Sequence, residues 1–358
     1  MVFWILILVL WVGVLVFTGK RMARSRTRTF LVGLEVLVAF YLVFRLAFPF
    51  LTMPQPRGKS QVKKDRIYLS HPTAYPDLAT QGAEREVPIQ VYYPENLRPG
   101  AHPLFIFSHG AFGVGTSNET LFFDLASRGY LVLSLDHPHH SFSSRLSSGE
   151  RVFVDPDFFK AVVASPGAKD LEKTWSQLRE WTGPRIEDLN LVLDRVLDDQ
   201  LEPPYGDKID KKRIILAGHS LGGGAALALG RDRPQDIQAL VVLEAPFVGD
   251  MVGLEGDHYV FLEDPYPRPL LHIYSDSLWE RLGTLPTYGQ NARILKTQDP
   301  RLVSVHIDGV GHLGLTDLSL VSPLLTKLMD GGLDKKRPQE ALEEINDQVL
   351  DFLEAWNP

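Results

Sequence analysis

The chain contains no cysteine among its 358 residues. That absence removes a disulfide scaffold, a thiolate zinc site and a cysteine nucleophile together. It leaves the redox compartment open. Clustered basic charge is also missing from the body of the chain. The formal net charge is −7, and the first fifty residues are basic, so the remainder is more acidic still. Phosphate backbones are bound by clustered Lys and Arg, which excludes nucleic acid as the main partner. There are no internal repeats. The opening "MVFW" lacks the positive charge that precedes the apolar core of a cleavable signal peptide.

What is present divides sharply. "MVFWILILVLWVGVLVF" is an uncharged apolar run, and a second run, Phe30 to Phe50, holds only Glu35 and Arg45. Each approaches the roughly 20 residues that cross a bilayer. Between them lie Lys20, Arg21, Arg24, Arg26 and Arg28. The expectation is a two-helix transmembrane hairpin over 1–51 in the cell membrane, with the basic loop cytoplasmic and the rest of the chain extracytoplasmic. "TMPQPRGKSQ" then switches to Pro, Gly and polar residues, which predicts a linker over 52–64.

The remaining residues, 65–358, read as one catalytic-sized domain. Hydrophobic content of 44% with 23% charged residues is ordinary for a folded protein. Short apolar runs are expected as strands: Val87–Pro94, Pro103–Gly110, Tyr130–His137, Ile237–Glu244, Arg268–Asp276 and Leu302–Gly309. They alternate with helical patterns at Asn118–Arg128, Ile186–Asp199 and Pro338–Trp356. Continuous apolar strands between helices predict a mostly parallel sheet covered on both faces. Two stretches fit this rhythm poorly, 141–183 and 249–267, and are expected as insertions over the site.

"RIILAGHSLGGGAALALG" carries the chemistry. Its "GHSLG" is Gly-x-Ser-x-Gly between a strand and a helix, the context in which that motif holds an exposed nucleophile. Ser220 is the candidate nucleophile, and the backbone N–H of Leu221, at the helix start, faces a developing oxyanion. A serine needs a histidine base held by a carboxylate. His312, in the glycine-flanked loop of "HIDGVGHLGLTD", follows the last strand, where this architecture carries its base. His306, inside the strand pattern, reads as packed. The second oxyanion donor is expected in "SHGAFG" at the N–H of Ala111, with His109 orienting that loop. For the acid the residues leave two choices: Asp276, after the penultimate strand, and Glu244, ending the strand after the nucleophile helix. The histidines of "DHPHHS" (His137, His139, His140) make a weak metal pattern, and neither metal nor cofactor is expected.

These segments together resemble the platelet-activating-factor acetylhydrolase branch of the α/β-hydrolases, across most of Glu86 to Leu325. The resemblance rests on "PLFIFSHGAFGVGTSNETLFFDLASRGYLVLSLDHPHHS", "IEDLNLVLDRVL", "GHSLGGGAAL" and "VHIDGVGHLGLTDLSLVSPLL". It implies an α/β-hydrolase fold behind the two membrane helices. It also implies Glu244 as the acid, because "LEAPF" stands where the family has an aspartate. The implied activity is a serine esterase acting through an acyl-enzyme, on short or oxidised acyl chains of phospholipids. Other lipase-like, polyester or small-ester substrates use the same chemistry, and a silent binding module is the alternative of a different class.

Overall fold

The computed structural model describes residues 11–14, 16 and 26–356. Most of the first apolar run lies outside the described residues. Among them one helix, not two, is long and apolar enough to cross a membrane: Thr29–Ala47, within α1 (Arg26–Ala47). The expected hairpin is thereby corrected to one candidate span of roughly 28 Å. Its length and composition fit a membrane anchor and a signal sequence alike. Phe30, Leu37 and Phe40 are exposed on it.

The stretch read as a linker is docked on the domain instead. Leu51 N–H donates to Leu320 O (2.7 Å) and Ser60 N–H to Ser127 O (2.9 Å). Arg57 adds a two-pronged ion pair to the buried Asp124. Pro and Gly forbid a helix there, and the unpaired backbone groups find partners on the neighbouring surface.

An eight-stranded sheet follows, in the order β1 (Val62–Pro72), β2 (Glu84–Pro94), β4 (Leu131–Leu135), β3 (His102–Ser108), β7 (Ile209–His219), β8 (Ala239–Leu243), β11 (Leu270–Ser275) and β12 (Leu302–Ile307). β1 (Val62–Pro72) pairs antiparallel with β2 (Glu84–Pro94), and β2 antiparallel with β4. β1 was not apparent in the sequence, because its exposed edge position leaves "VKKDR" without an apolar face. β3 (His102–Ser108) leads into α2 (Glu119–Ser127) and β4 (Leu131–Leu135). From β3 to β12 the neighbours run parallel.

The first insertion is more regular than the sequence suggests. It holds a hairpin of β5 (Ser143–Arg145) and β6 (Arg151–Phe153), then α3 (Pro156–Val163). It also holds the first half of α4 (Leu171–Leu197), which runs through Pro184. The sequence pattern starts this helix at Ile186, but it extends back to Leu171, with Leu178 and Trp181 clustered with Leu221 and Val248. β7 (Ile209–His219), α5 (Leu221–Asp232) and β8 (Ala239–Leu243) form the centre. The second insertion is a hairpin of β9 (Met251–Glu255) and β10 (His258–Phe261). β11 (Leu270–Ser275), α6 (Gly289–Ile294) and β12 (Leu302–Ile307) complete the sheet. The short α7 (Leu318–Val321) and α8 (Pro323–Met329) precede the closing α9 (Pro338–Trp356).

The central strands are buried on both faces, and their alternation sorts the core. Leu104, Ile106, Leu216 and Val242 pack with α4 and α5 on one side. Phe105, Phe107, Ala217 and Val241 pack with α2 and α9 on the other. Both layers hold the parallel strands with their carboxyl ends together, and a site in such a sheet lies beyond those ends.

A buried charge network braces the fold beneath this edge. Asp188 of α4 receives Arg85 Nε at 2.9 Å and Nη2 at 2.9 Å, His137 Nδ1 at 2.8 Å and His71 Nε2 at 3.1 Å. Burial disfavours the carboxylate, but Arg85 and the hydrogen bonds of His137 and His71 outweigh it and hold its pKa well below 3.8. Its stabilisation is therefore complete above the unfolded carboxyl range and is lost only as acid titrates it below 3.8. Asp188→Asn strands Arg85 and is expected to destabilise the protein by about 3–5 kcal/mol. A thermal melt at neutral pH checks this; a shift under about 2 °C would contradict it.

Candidate active site

The nucleophile turn is built by steric exclusion. β7 ends at His219 and α5 begins at Leu221, which leaves Ser220 alone in the turn at φ +53°, ψ −124°. A non-glycine residue adopts that backbone only where its surroundings enforce it. Ser220 N–H donates to Leu243 O of β8 at 2.9 Å, and Ser220 O receives Gly224 N–H at 2.9 Å. Gly222 has no alternative: a Cβ there would stand 2.1 Å from Ser108 O. Leu221, first in α5, has no carbonyl one turn back to receive its N–H.

The loop after β3 lies directly against this turn. A Cβ on Gly110 would meet Ser220 Cβ at 3.0 Å and His219 Nδ1 at 2.8 Å. The next residue in this loop is Ala111, the expected second donor. Several bonds hold the loop. Gly113 N–H returns to Gly110 O (3.1 Å), and Phe112, at φ +61°, donates to His140 O (3.2 Å). His109 is buried, with Nδ1 2.7 Å from Gly110 O and Nε2 2.8 Å from Ser141 Oγ. That fits an orienting role for His109.

His312 and Glu244 meet. His312 Nδ1 lies 2.8 Å from Glu244 Oε1, and Ser275 N–H donates to the other oxygen, Oε2, at 2.6 Å. Glu244 is fully buried at φ +45°, where the chain leaves β8. Because the carboxylate accepts the hydrogen bond of Nδ1–H, the neutral ring keeps its lone pair on Nε2. The imidazole stacks on His219 with ring centres 4.5 Å apart, and His219 Nε2 lies 3.2 Å from His312 O. His219 is the serine's neighbour in the chain, so this contact ties the His312 loop to the nucleophile turn. Ser277 Oγ receives His312 N–H (2.9 Å), and Asp330 receives the N–H groups of Leu313 and Gly314.

The electrostatics follow from these contacts. Burial lowers the affinity of His312 for a proton, but the hydrogen bond and charge of Glu244 outweigh it, and the pKa stands above its ordinary value. Burial likewise pushes Glu244 up, and His312 with Ser275 brings it below the usual range. His219 is driven well below its ordinary value by burial and by His312, so it stays neutral.

Asp276 is engaged elsewhere. Its Oδ1 pairs with His306 Nε2 (2.8 Å) and its Oδ2 receives Gly309 N–H (3.0 Å). It braces the start of the histidine loop without touching the imidazole. His306 packs flat on Trp279, with ring centres 5.0 Å apart. Of the "DHPHHS" histidines, His137 belongs to the Asp188 network and His140 stacks on Phe158. Among the described residues no group of three or more His, Asp or Glu is placed to hold a metal.

Sequence reasoning missed Arg185. It is fully buried on α4 and donates Nη1 to His109 O at 3.1 Å, with Nη2 3.5 Å from Gly110 O. Burial lowers its pKa to about 9, against the pull of Asp188, so it remains a cation at neutral pH. It clamps the carbonyls behind the loop of Ala111. In the sequence, Arg185 and Asp188 look like the solvated face of an amphipathic helix. Both insertions also converge here: Phe158, Trp181, Val248, Met251 and Tyr259 form an apolar cluster with Leu221, and Ala111 and Phe112 pack against it.

Comparison with known proteins follows the same lines. Residues 103–266 match the family model described as alpha/beta hydrolase fold. Residues 187–357 match that of platelet-activating factor acetylhydrolase, isoform II. The chain is 23% identical over 283 residues to the platelet-activating factor acetylhydrolase of Gallus gallus, covering 72% of this chain and 63% of that one. To the Canis lupus familiaris protein of that name it is 28% identical, covering 50% of this chain and 41% of the relative. The Bos taurus protein gives 29%, 51% and 42%. The chain thus spans less than two thirds of each of these relatives. Among solved structures, a ferulic acid esterase from Streptomyces cinnamoneus superposes with a TM-score of 0.60 at 18% identity, covering 85% of this chain and 92% of that one. At that identity the likeness concerns the fold.

Proposed function

The chain is an α/β-hydrolase of platelet-activating-factor-acetylhydrolase-like type, and from that premise we propose that it is a membrane-anchored serine esterase. The observation that carries the reading is the 2.8 Å hydrogen bond from His312 Nδ1 to the buried carboxylate of Glu244, in a chain whose candidate serine is held at positive φ. Ser220 Oγ attacks the acyl carbonyl while His312 Nε2 takes its proton. The N–H groups of Ala111 and Leu221 receive the oxyanion. As the intermediate collapses, His312 returns the proton to the leaving alcohol, and a water repeats the sequence to free the acid. The apolar cluster from both insertions supplies a water-poor wall beside these donors.

The relatives' names, acetylhydrolases of platelet-activating factor, support a short acyl ester as substrate, and the family resemblance extends the reading to phospholipids with short or oxidised acyl chains. The apolar span of α1 supports a bilayer anchor, and the basic residues ahead of it favour an extracytoplasmic catalytic domain. A panel of phospholipids with graded acyl length, an aryl ester, a thioester and a peptide tests this. Preference for the short-acyl phospholipid is expected; equal or better turnover of the aryl ester would move the reading to small esters, and turnover of none would favour a silent binding module.

The acid limb of the rate profile is a second expectation. His312 accepts a proton only when neutral, so activity falls as pH falls through its pKa. Glu244 raises that pKa above 6.5, and the midpoint of kcat/KM is expected above that value. A midpoint below it in the wild-type protein would contradict the assigned pair.

A further inference from the structure

A cavity of about 830 Å³ lies between the C-terminal end of α1 and the segments around α8 and the start of α9. Its lining includes none of Ser220, Glu244, His312, Ala111 or Leu221, so it is separate from the catalytic arrangement. The size is that of a small-molecule site. Leu46, Pro49 and Leu51 form one apolar side, and Val310, Leu324 and Ala341 the other. Four cations line it, Arg45, Lys327, Lys336 and Arg337, against the single carboxylate of Asp334. Lys336 is held by Asp308 and Glu344, Arg337 by Glu340, and Asp334 receives Gly311 N–H. Lys327 is exposed on α8.

The position of this cavity narrows its occupant. The end of α1 is tied to the α7–α8 segment: Ser322 Oγ donates to Ala47 O, Phe50 N–H to Val321 O (3.3 Å) and Leu51 N–H to Leu320 O (2.7 Å). α8 therefore sits where the apolar span ends. On it Leu324, Leu328 and Met329 are exposed, and Phe44 and Phe50 are exposed on the adjoining chain. Scattered apolar residues on a surface need no explanation, but a contiguous patch marks an interaction site. Here the patch continues the surface of the candidate membrane span and meets a cationic lining, a pairing that suits an anionic headgroup above acyl chains.

We propose that this cavity binds a bilayer phospholipid, with an acyl chain between α1 and α8 and the phosphate set against Lys327 and Arg45. The proposal rests on α1 being a membrane anchor. The bound lipid is a resident ligand, not the molecule being hydrolysed.

The full chain is reconstituted into phosphatidylcholine vesicles doped with phosphatidylglycerol bearing a diazirine on one acyl chain, then irradiated and mapped by peptide mass spectrometry. Cross-links are expected on 46–51 and 323–327, and each of Leu324→Glu and Lys327→Glu is expected to reduce them about fivefold or more. Both side chains are exposed and outside the catalytic arrangement, so turnover of a water-soluble ester is expected to be unchanged, which verifies folding. Cross-links confined to α1 ahead of Arg45, or unchanged in both variants, overturn the proposal. Co-flotation with the vesicles reports the anchor separately. A chain that floats without cavity cross-links sinks this inference alone, whereas a chain that does not float sinks the anchor and the inference together.

Discussion

Ser220→Ala is expected to lower kcat/KM for ester hydrolysis by roughly 10⁴-fold or more while leaving the fold intact. The hydroxyl oxygen is the only heavy atom removed, and the elbow remains. Gly222 still packs on Ser108 O, and residue 220 N–H still donates to Leu243 O. Residual turnover would come from the two backbone donors and from substrate binding, neither of which involves the serine oxygen. A fluorophosphonate, which reacts with an activated serine, is the direct probe: intact mass is expected to rise by one adduct in wild type and not at all in the variant. Labelling that survives in Ser220→Ala would place the nucleophile elsewhere. A well-folded wild type that neither labels nor turns over ester would remove the enzyme reading itself. The turn also allows a stability control. Ser220 sits at φ +53°, a conformation glycine adopts without cost, so Ser220→Gly is expected to be inactive and more stable by about 1 kcal/mol.

Glu244→Gln and Asp276→Asn are expected to separate two carboxylates that the chain order leaves equivalent. Gln keeps the shape of Glu but presents an amide that donates as readily as it accepts. His312 Nδ1 loses its anionic partner, the ring tautomer is no longer held, and the imidazolium formed during attack is unsupported. A fall in kcat of roughly 10³–10⁴ is expected, with the acid limb of the pH profile moving downward because the charge that raised the His312 pKa is gone. Asp276→Asn removes the charge and leaves one acceptor oxygen where His306 and Gly309 N–H now use two. It is expected to cost about 1–3 kcal/mol of stability and less than about tenfold in kcat, since no bond to His312 is lost. A larger kcat loss in Asp276→Asn than in Glu244→Gln would reverse the assignment.

The parallel architecture was legible because buried strands and amphipathic helices have different apolar periods. Runs such as "PLFIFS" and "ALVVL" are apolar throughout because both faces of the sheet are covered. Ser220 was legible for a related reason: only glycine fits against Ser108 O, so steric exclusion writes itself into the sequence as spacing. Charge carried no such mark. Arg185 and Asp188 are buried, although a helix bearing "PRIEDLNL" reads as having a solvated polar face. Their burial depends on partners far away in the chain, Arg85, His137 and the carbonyl of His109. The edge strand β1 and the docked stretch after α1 escaped for the same reason, since each owes its conformation to a distant surface.

By itself, the sequence determined the layered α/β class, the strand–Ser220–helix turn, and the histidine that follows the last strand. Local geometry and periodicity suffice for these, because each is specified within a few turns of chain. Only the tertiary structure decided which carboxylate faces His312. Glu244 and Asp276 both follow parallel strands, and their separation from His312 along the chain does not distinguish them. Packing of β8 beside β11, with Ser275 N–H on one Glu244 oxygen and His306 drawing Asp276 away, makes the distinction. Those contacts exist only once the sheet has closed.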